Sequence, residues 1–173
     1  MLCLKWFAAI ILAALISGAA PAAAAGVEIS INKLSQKMTV TVGGVEKYVW
    51  LVSTGARGYS TPSGSYTPFR MEPDHYSKEW DDAPMPHSIF FTPAGHAIHG
   101  SPHTRRLGTP VSHGCVRLAP ANAARLYALV QKAGMTNTRV IVSGGFDFGS
   151  APKIKKPNLL KTSWRSSRHR ASQ

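Results

Sequence analysis

The sequence predicts a mainly β protein, a compact barrel or sandwich carrying one main helix. Three observations predict it. Between Val27 and Gly144, short runs alternate apolar, often β-branched residues with polar ones, the period-2 pattern of half-buried strands. Gly- and Pro-containing stretches interrupt these runs, which suits several short strands better than a few long ones. One clear helical periodicity stands out, in "APANAARLYALVQKAG".

The N-terminus, "MLCLKWFAAIILAALISGAAPAAAAG", sets one lysine before an apolar run from Trp6 to Ile16, followed by Gly18, Pro21 and small residues. That is the layout of a secretory signal peptide over residues 1–25, cleaved just before Gly26 or Val27. The run falls short of the roughly 20 apolar residues of a membrane span, so an uncleaved anchor is the weaker reading. The next stretch, "VEISINKLSQKMTVTVGGVEKYVWLVSTG", holds two alternating runs on either side of "VGG", a hairpin signal. "TPSGSYTPFRMEP" reads as loop, and "SIFFTPAGHAIHGS" as two short strands around a Pro/Gly turn. In the helix, Ala123, Leu126, Tyr127 and Val130 share one face and Gly134 is the stop. "TRVIVSGG" closes the domain as a last strand.

Charge separates the C-terminus from this domain. The formal net charge is +12, and all eight acidic residues lie between Glu28 and Asp147. Residues 148–173 contain Lys153, Lys155, Lys156, Lys161, Arg165, Arg168 and Arg170 without one acid. Their Pro, Ser and basic content with no apolar periodicity predicts a disordered tail, leaving a folded domain over 26–147. The tail is then either a solvated segment or a contact to anionic envelope surfaces, which an exported chain meets more readily than nucleic acid.

Cysteine use points to chemistry. Cys3 leaves with the signal, so Cys115 remains alone and no internal disulfide can form. An unpaired cysteine in an exported protein is a buried apolar residue, an intermolecular bridge or a reactive thiol. The neighbours favour the third. "TPVSHGCVRLA" sets His113 two residues before Cys115 and Arg117 two residues after it, and His99 lies upstream in "HAIHG". A thiol becomes a nucleophile when a base within hydrogen-bond reach takes its proton or positive charge favours the thiolate. In an extended strand His113, Cys115 and Arg117 would share a face, with Gly114 able to break that regularity. His99 serves as base if its strand pairs beside the one carrying Cys115. Gly114, lacking a Cβ, lets the backbone approach a substrate, and the N–H groups of His113, Gly114 and Cys115 suit a developing oxyanion. A metal reading would gather His96, His99, His103, His113 and Cys115, but their spacing matches no tetrahedral zinc template and no CxxC or HExxH accompanies them. No metal and no cofactor is expected.

The set "IHGSPHTRRLGTPVSHGCVRL" resembles the signature of the L,D-transpeptidase catalytic domain, the YkuD-type family of cell-wall enzymes. "VSTGARGYSTPSGSYTP" is similar to the family's S-T-G followed by T-P-x-G-x-[FY], and "MPHSIFF" with "GHAIHG" to its strands before the catalytic motif. The resemblance implies the family's mainly β fold with one main helix after the motif. It implies Cys115 as the acylated nucleophile, His99 as the base, and the backbone carbonyl of Gly100 as the group that orients that imidazole. It also implies His113 and Gly114 at the oxyanion hole, Ser112 as loop support, and Arg117 holding the loop or meeting a substrate carboxylate. His87 and His96 stand where relatives often carry tyrosine, so each is either a candidate contact to the peptide stem or a half-exposed strand residue.

The implied reaction is attack of Cys115 on the position-three diamino acid carbonyl of a peptidoglycan tetrapeptide stem, with loss of D-alanine. Transfer to an amine follows, giving a 3–3 cross-link or anchoring an envelope protein. L,D-carboxypeptidase action or D-amino-acid exchange on the same stem is the alternative within the chemistry, and a non-catalytic wall-binding module the alternative outside it. Inhibition by carbapenem-type β-lactams and a Gram-negative periplasmic location are further expectations.

Overall fold

In the computed structural model, which describes residues 26–145, the alternation of the first segment becomes a meander. Strands β1 (Val27–Asn32) and β2 (Lys37–Val42) pair antiparallel, and β2 pairs with β3 (Val45–Leu51). Gly43 and Gly44 join β2 to β3 at φ 58° and 80°, left-handed values in which both glycines are at ease and which suit a two-residue hairpin. Val27, Ile29 and Ile31 point into the core while Glu28 and Asn32 face out, as period 2 requires.

The chain then crosses to a second sheet through β4 (Gly64–Tyr66). That sheet runs in the order β5 (Arg70–Ser77), β6 (Ala83–Phe90), β7 (Ala97–Gly100), β8 (Val116–Leu118). Helix α1 (Pro120–Ala133) packs on β6 and β7, and β9 (Thr138–Ser143) returns to lie parallel to β1. The first sheet is thereby completed as β3-β2-β1-β9-β4. Both sheets stay open, so among the described residues the barrel option does not close. Two sheets and a helix enclose one main core, with Ile29, Ile31, Ile89, Ile98, Leu126 and Val140 essentially without solvent contact.

The helix follows the reading closely. Pro120 occupies its first turn, where the missing N–H is harmless. Ala123, Leu126, Val130 and Ala133 are buried, Tyr127 is half-buried, and Gly134 at φ 86° ends it. The loop expected through Pro73 is corrected, because Arg70–Ser77 forms β5, paired with β6 along a long hairpin. Pro73 masked it, yet β5 is an edge strand, where a residue without an N–H is tolerated. Opposite Pro73 the pairing skips His87, which sits at φ 57°. Met85 and Phe90 are five residues apart and would face opposite ways on a regular strand. Past this irregularity they join one apolar cluster with Ala97.

The expected signal segment and the basic tail lie outside the described residues. No helix among the described residues is long and apolar enough to cross a membrane.

Candidate active site

Pairing of β7 with β8 in parallel sets His99 beside Arg117. This is the adjacency the sequence reading required, with Cys115 one residue before β8. A cleft open to solvent runs over this junction. His99, Ser112, His113, Cys115 and Arg117 all line it, facing Trp80 and Met85 of the β5–β6 hairpin. His113 and Arg117 share the cleft with Cys115 because the loop bends at Gly114 (φ 115°); an extended strand does not bring them together.

His99 is buried, with Nδ1 2.8 Å from the carbonyl oxygen of Gly100. A carbonyl can only accept, so Nδ1 carries the proton and Nε2 keeps its lone pair. Burial pulls the imidazole pKa down to about 4; the Gly100 hydrogen bond opposes this, and the Arg117 charge adds to it. His99 is thus neutral, and a base, across the physiological range.

Cys115 is half-buried against Met85, Phe90 and Ala97, its Sγ 3.8 Å from the carbonyl oxygen of Gly95. Burial pushes the thiol pKa up, opposed by the Ala97 backbone and the Arg117 charge, while Glu79 reinforces the rise. At rest the pair is therefore a thiol and a neutral imidazole. Arg117 is half-buried, and no carboxylate among the described residues pairs with it. Its backbone is fixed by two bonds to Ser53, at 2.9 and 3.0 Å.

The loop carrying the thiol is held from within. Ser112 Oγ accepts the Gly114 N–H at 3.1 Å and donates to the Cys115 carbonyl. Ser112 also pairs with the "STG" segment, through its N–H to Thr54 O (3.0 Å) and its carbonyl to Ala56 N–H (2.8 Å). This bears on the oxyanion reading. The Gly114 N–H is already engaged, whereas the His113 and Cys115 N–H groups have no acceptor among the described residues.

Two candidate substrate contacts, His87 and His96, are half-buried and sit elsewhere. His87 does not line the cleft; its ring lies edge-on to Tyr127 of α1, with centroids 5.5 Å apart. His96 is behind the loop, its Nδ1 2.7 Å from Thr92 Oγ1. A Cβ on Gly114 would come within 3.0 Å of that ring, so the glycine is required for close packing as well as for φ. Neither position lines the cleft. No group of three His, Cys, Asp or Glu residues among those described is placed to hold a metal.

Sequence reasoning missed three residues. Trp80, at the tip of the β5–β6 hairpin, stacks flat on His113, with centroids 3.6 Å apart and planes 3° from parallel. Tyr59 meets both rings edge-on, 4.8 Å from His113 and 5.7 Å from Trp80. Thr61, fully buried, reaches the Gly114 carbonyl. The available signals were a tryptophan inside the polar turn "SKEWDD" and the Thr of "STPSG".

The model of the L,D-transpeptidase catalytic domain matches residues 26–142 of the chain. Among solved structures, the chain is similar to an L,D-transpeptidase from Mycobacterium smegmatis, with 26% identity and a TM-score of 0.62 over 69% of this chain and 59% of that one. One from Stackebrandtia nassauensis is 28% identical, TM-score 0.60, covering 69% and 56% respectively. L,D-transpeptidase 3 from Mycobacterium tuberculosis, solved with a faropenem-derived adduct, is 26% identical, TM-score 0.60, covering 69% and 60%. The chain therefore spans less than two thirds of the length of these structures. No match was found among curated proteins.

Proposed function

The chain belongs to the L,D-transpeptidase catalytic domain family, and from that premise we propose a cysteine-dependent acyltransferase acting on peptidoglycan tetrapeptide stems. The observation that carries the reading is His99, its Nδ1 proton directed to the Gly100 carbonyl and its ring in the same cleft as the thiol of Cys115.

Cys115 Sγ attacks the carbonyl carbon of the position-three diamino acid while His99 Nε2 takes the thiol proton. A raised thiol pKa beside a lowered imidazole pKa makes proton transfer uphill before attack, so transfer accompanies S–C bond formation. The tetrahedral oxyanion is stabilised by the His113 and Cys115 amides. Collapse breaks the C–N bond to D-alanine, whose nitrogen receives the proton from His99. An amine then attacks the thioester, losing a proton to His99 as the thiol is re-formed. A second stem gives a cross-link and an envelope protein gives anchoring.

Arg117, cationic at the cleft without a carboxylate of its own, is suited to a stem carboxylate. Export to the periplasm, with the basic tail meeting anionic envelope material, belongs to the same proposal.

Intact-mass spectrometry tests it. Incubation with a disaccharide tetrapeptide should give an adduct equal to substrate minus D-alanine, and faropenem should give a β-lactam adduct, both absent from Cys115→Ala. A reduced, folded wild-type protein with no adduct from either reagent would overturn the reading in favour of a wall-binding module. Free tripeptide without transfer to an amine would mark a carboxypeptidase.

A further inference from the structure

Thr61 stands outside the cleft with no solvent contact, yet it is tied to the loop that carries the thiol. Its Oγ1 lies 2.9 Å from the Gly55 N–H and 2.7 Å from the Gly114 carbonyl oxygen. The direction of both bonds follows from the partners. A backbone N–H can only donate and a carbonyl can only accept, so the hydroxyl accepts from Gly55 and its single proton goes to Gly114. Gly55 can carry no side chain, since a Cβ there would meet the Tyr59 carbonyl oxygen at 1.8 Å, so its backbone packs directly against that segment.

The Gly114 carbonyl and the Cys115 N–H belong to one trans peptide plane, and in such a plane they point in opposite directions. Holding the carbonyl toward the buried side therefore turns the Cys115 N–H away from Thr61. Gly114, at φ 115°, is the residue on which this plane could most easily swing, because glycine has low barriers to other backbone states. Ser112 holds the planes on either side, by accepting from the Gly114 N–H and donating to the Cys115 carbonyl. It does not reach the Gly114 carbonyl.

We propose that Thr61 is a positioning residue for the oxyanion hole: its hydroxyl fixes the Gly114–Cys115 peptide plane so that the Cys115 N–H faces the developing oxyanion. The inference rests on the acyl-transfer reading above. It predicts a selective loss. Acylation by faropenem forms an S–C bond at the lactam carbonyl, passes through an oxyanion, breaks the lactam C–N bond and leaves the thiol proton on the lactam nitrogen. Alkylation by iodoacetamide forms an S–C bond as iodide leaves and the thiol proton passes to solvent, with no oxyanion on the path.

The test compares both rates in wild type, Thr61→Val, which keeps shape and removes the hydroxyl, and Thr61→Ser, which restores it. The expected result for Thr61→Val is a roughly 10- to 100-fold slower acylation, in the range below complete loss of an oxyanion donor. Alkylation should stay within about twofold, and Thr61→Ser should recover the acylation rate. With tetrapeptide the loss should fall on kcat and leave KM largely unchanged. Where valine does not fold, judged by its melting curve, Thr61→Ala carries the same expectation.

Equal slowing of acylation and alkylation would assign Thr61 to general loop structure and overturn the inference, as would unchanged acylation. Failure of the acyl-transfer reading is distinguishable, because wild type itself would then not be acylated.

Discussion

The Cys115–His99 pair is an uncharged couple in which burial lowers the imidazole pKa and raises the thiol's. That assignment has a pH signature. A base whose conjugate acid titrates at about 4 stays competent well below the ordinary histidine value of 6.5. The acid limb of kcat/KM for Cys115 acylation should therefore fall near pH 4, read from adduct formation by mass spectrometry across a pH series. A limb near 6.5 would mean an exposed imidazole. The same shift is a stability statement. The folded state resists protonation that the unfolded state accepts, so stability is lost as pH falls through about 6.5 toward about 4. The loss is about 3 kcal/mol, converted at roughly 1.4 kcal/mol per unit of pKa difference. His99→Gln should flatten that slope in denaturant titrations at pH 4 and 7. Much of this site was legible in the sequence. Residue types on two neighbouring runs pointed to Cys115 and His99 as nucleophile and base, and the family resemblance implied the Gly100 carbonyl; the structure pairs the two strands and sets His99 Nδ1 on that carbonyl. The bond from the Gly114 N–H to Ser112 Oγ was not legible, because it is set by loop curvature, which residue types alone do not fix.

At the scale of elements, the β5–β6 hairpin forms the wall facing the thiol, and the sequence hid half of it. Pro73 and the polar stretch around it imitate a loop, because an edge strand facing solvent has little need of apolar alternation. Its tip is held down by Trp80 on His113, with Tyr59 edge-on to both. Trp80 keeps 39% of its surface exposed, so the stack positions the hairpin and contributes little to global stability. A packed aromatic pair is worth about 0.5–1.5 kcal/mol beyond its buried area. Trp80→Ala should accordingly lower kcat/KM by about fivefold, a loss near 1 kcal/mol, with the melting temperature no more than about 6 °C below wild type. Trp80→Phe should retain most of the activity. Steady-state kinetics beside thermal melts would check this, and a large drop in melting temperature without change in kcat/KM would reverse the assignment.

Across the whole molecule, the site belongs to neither sheet alone. The "STG" segment leaves the β1–β2–β3 meander and binds the Ser112–Arg117 stretch through Ser53, Thr54 and Ala56, while His99 lies inside the second sheet. Strand β9 closes the arrangement by returning parallel to β1, a long-range pairing with no local sequence signal. Alternation reports which residues are buried and leaves strand order open; it therefore predicted a β domain without separating a barrel from two open sheets. Because one main core supports both sheets and α1, the domain should unfold as a unit and carry its site until it does. Leu126, fully buried on α1 behind β6 and β7, tests that coupling. Leu126→Ala should cost about 2–5 kcal/mol through lost burial and the cavity left behind, lowering the melting temperature by roughly 10–20 °C for a domain of this size. At 25 °C, where the protein remains folded, acylation of Cys115 should proceed within about twofold of wild type, because Leu126 does not line the cleft. Calorimetry and adduct formation on the same sample decide it: acylation lost at a temperature well below the calorimetric transition would show that the site melts separately from the core, against the single cooperative unit argued from the two sheets.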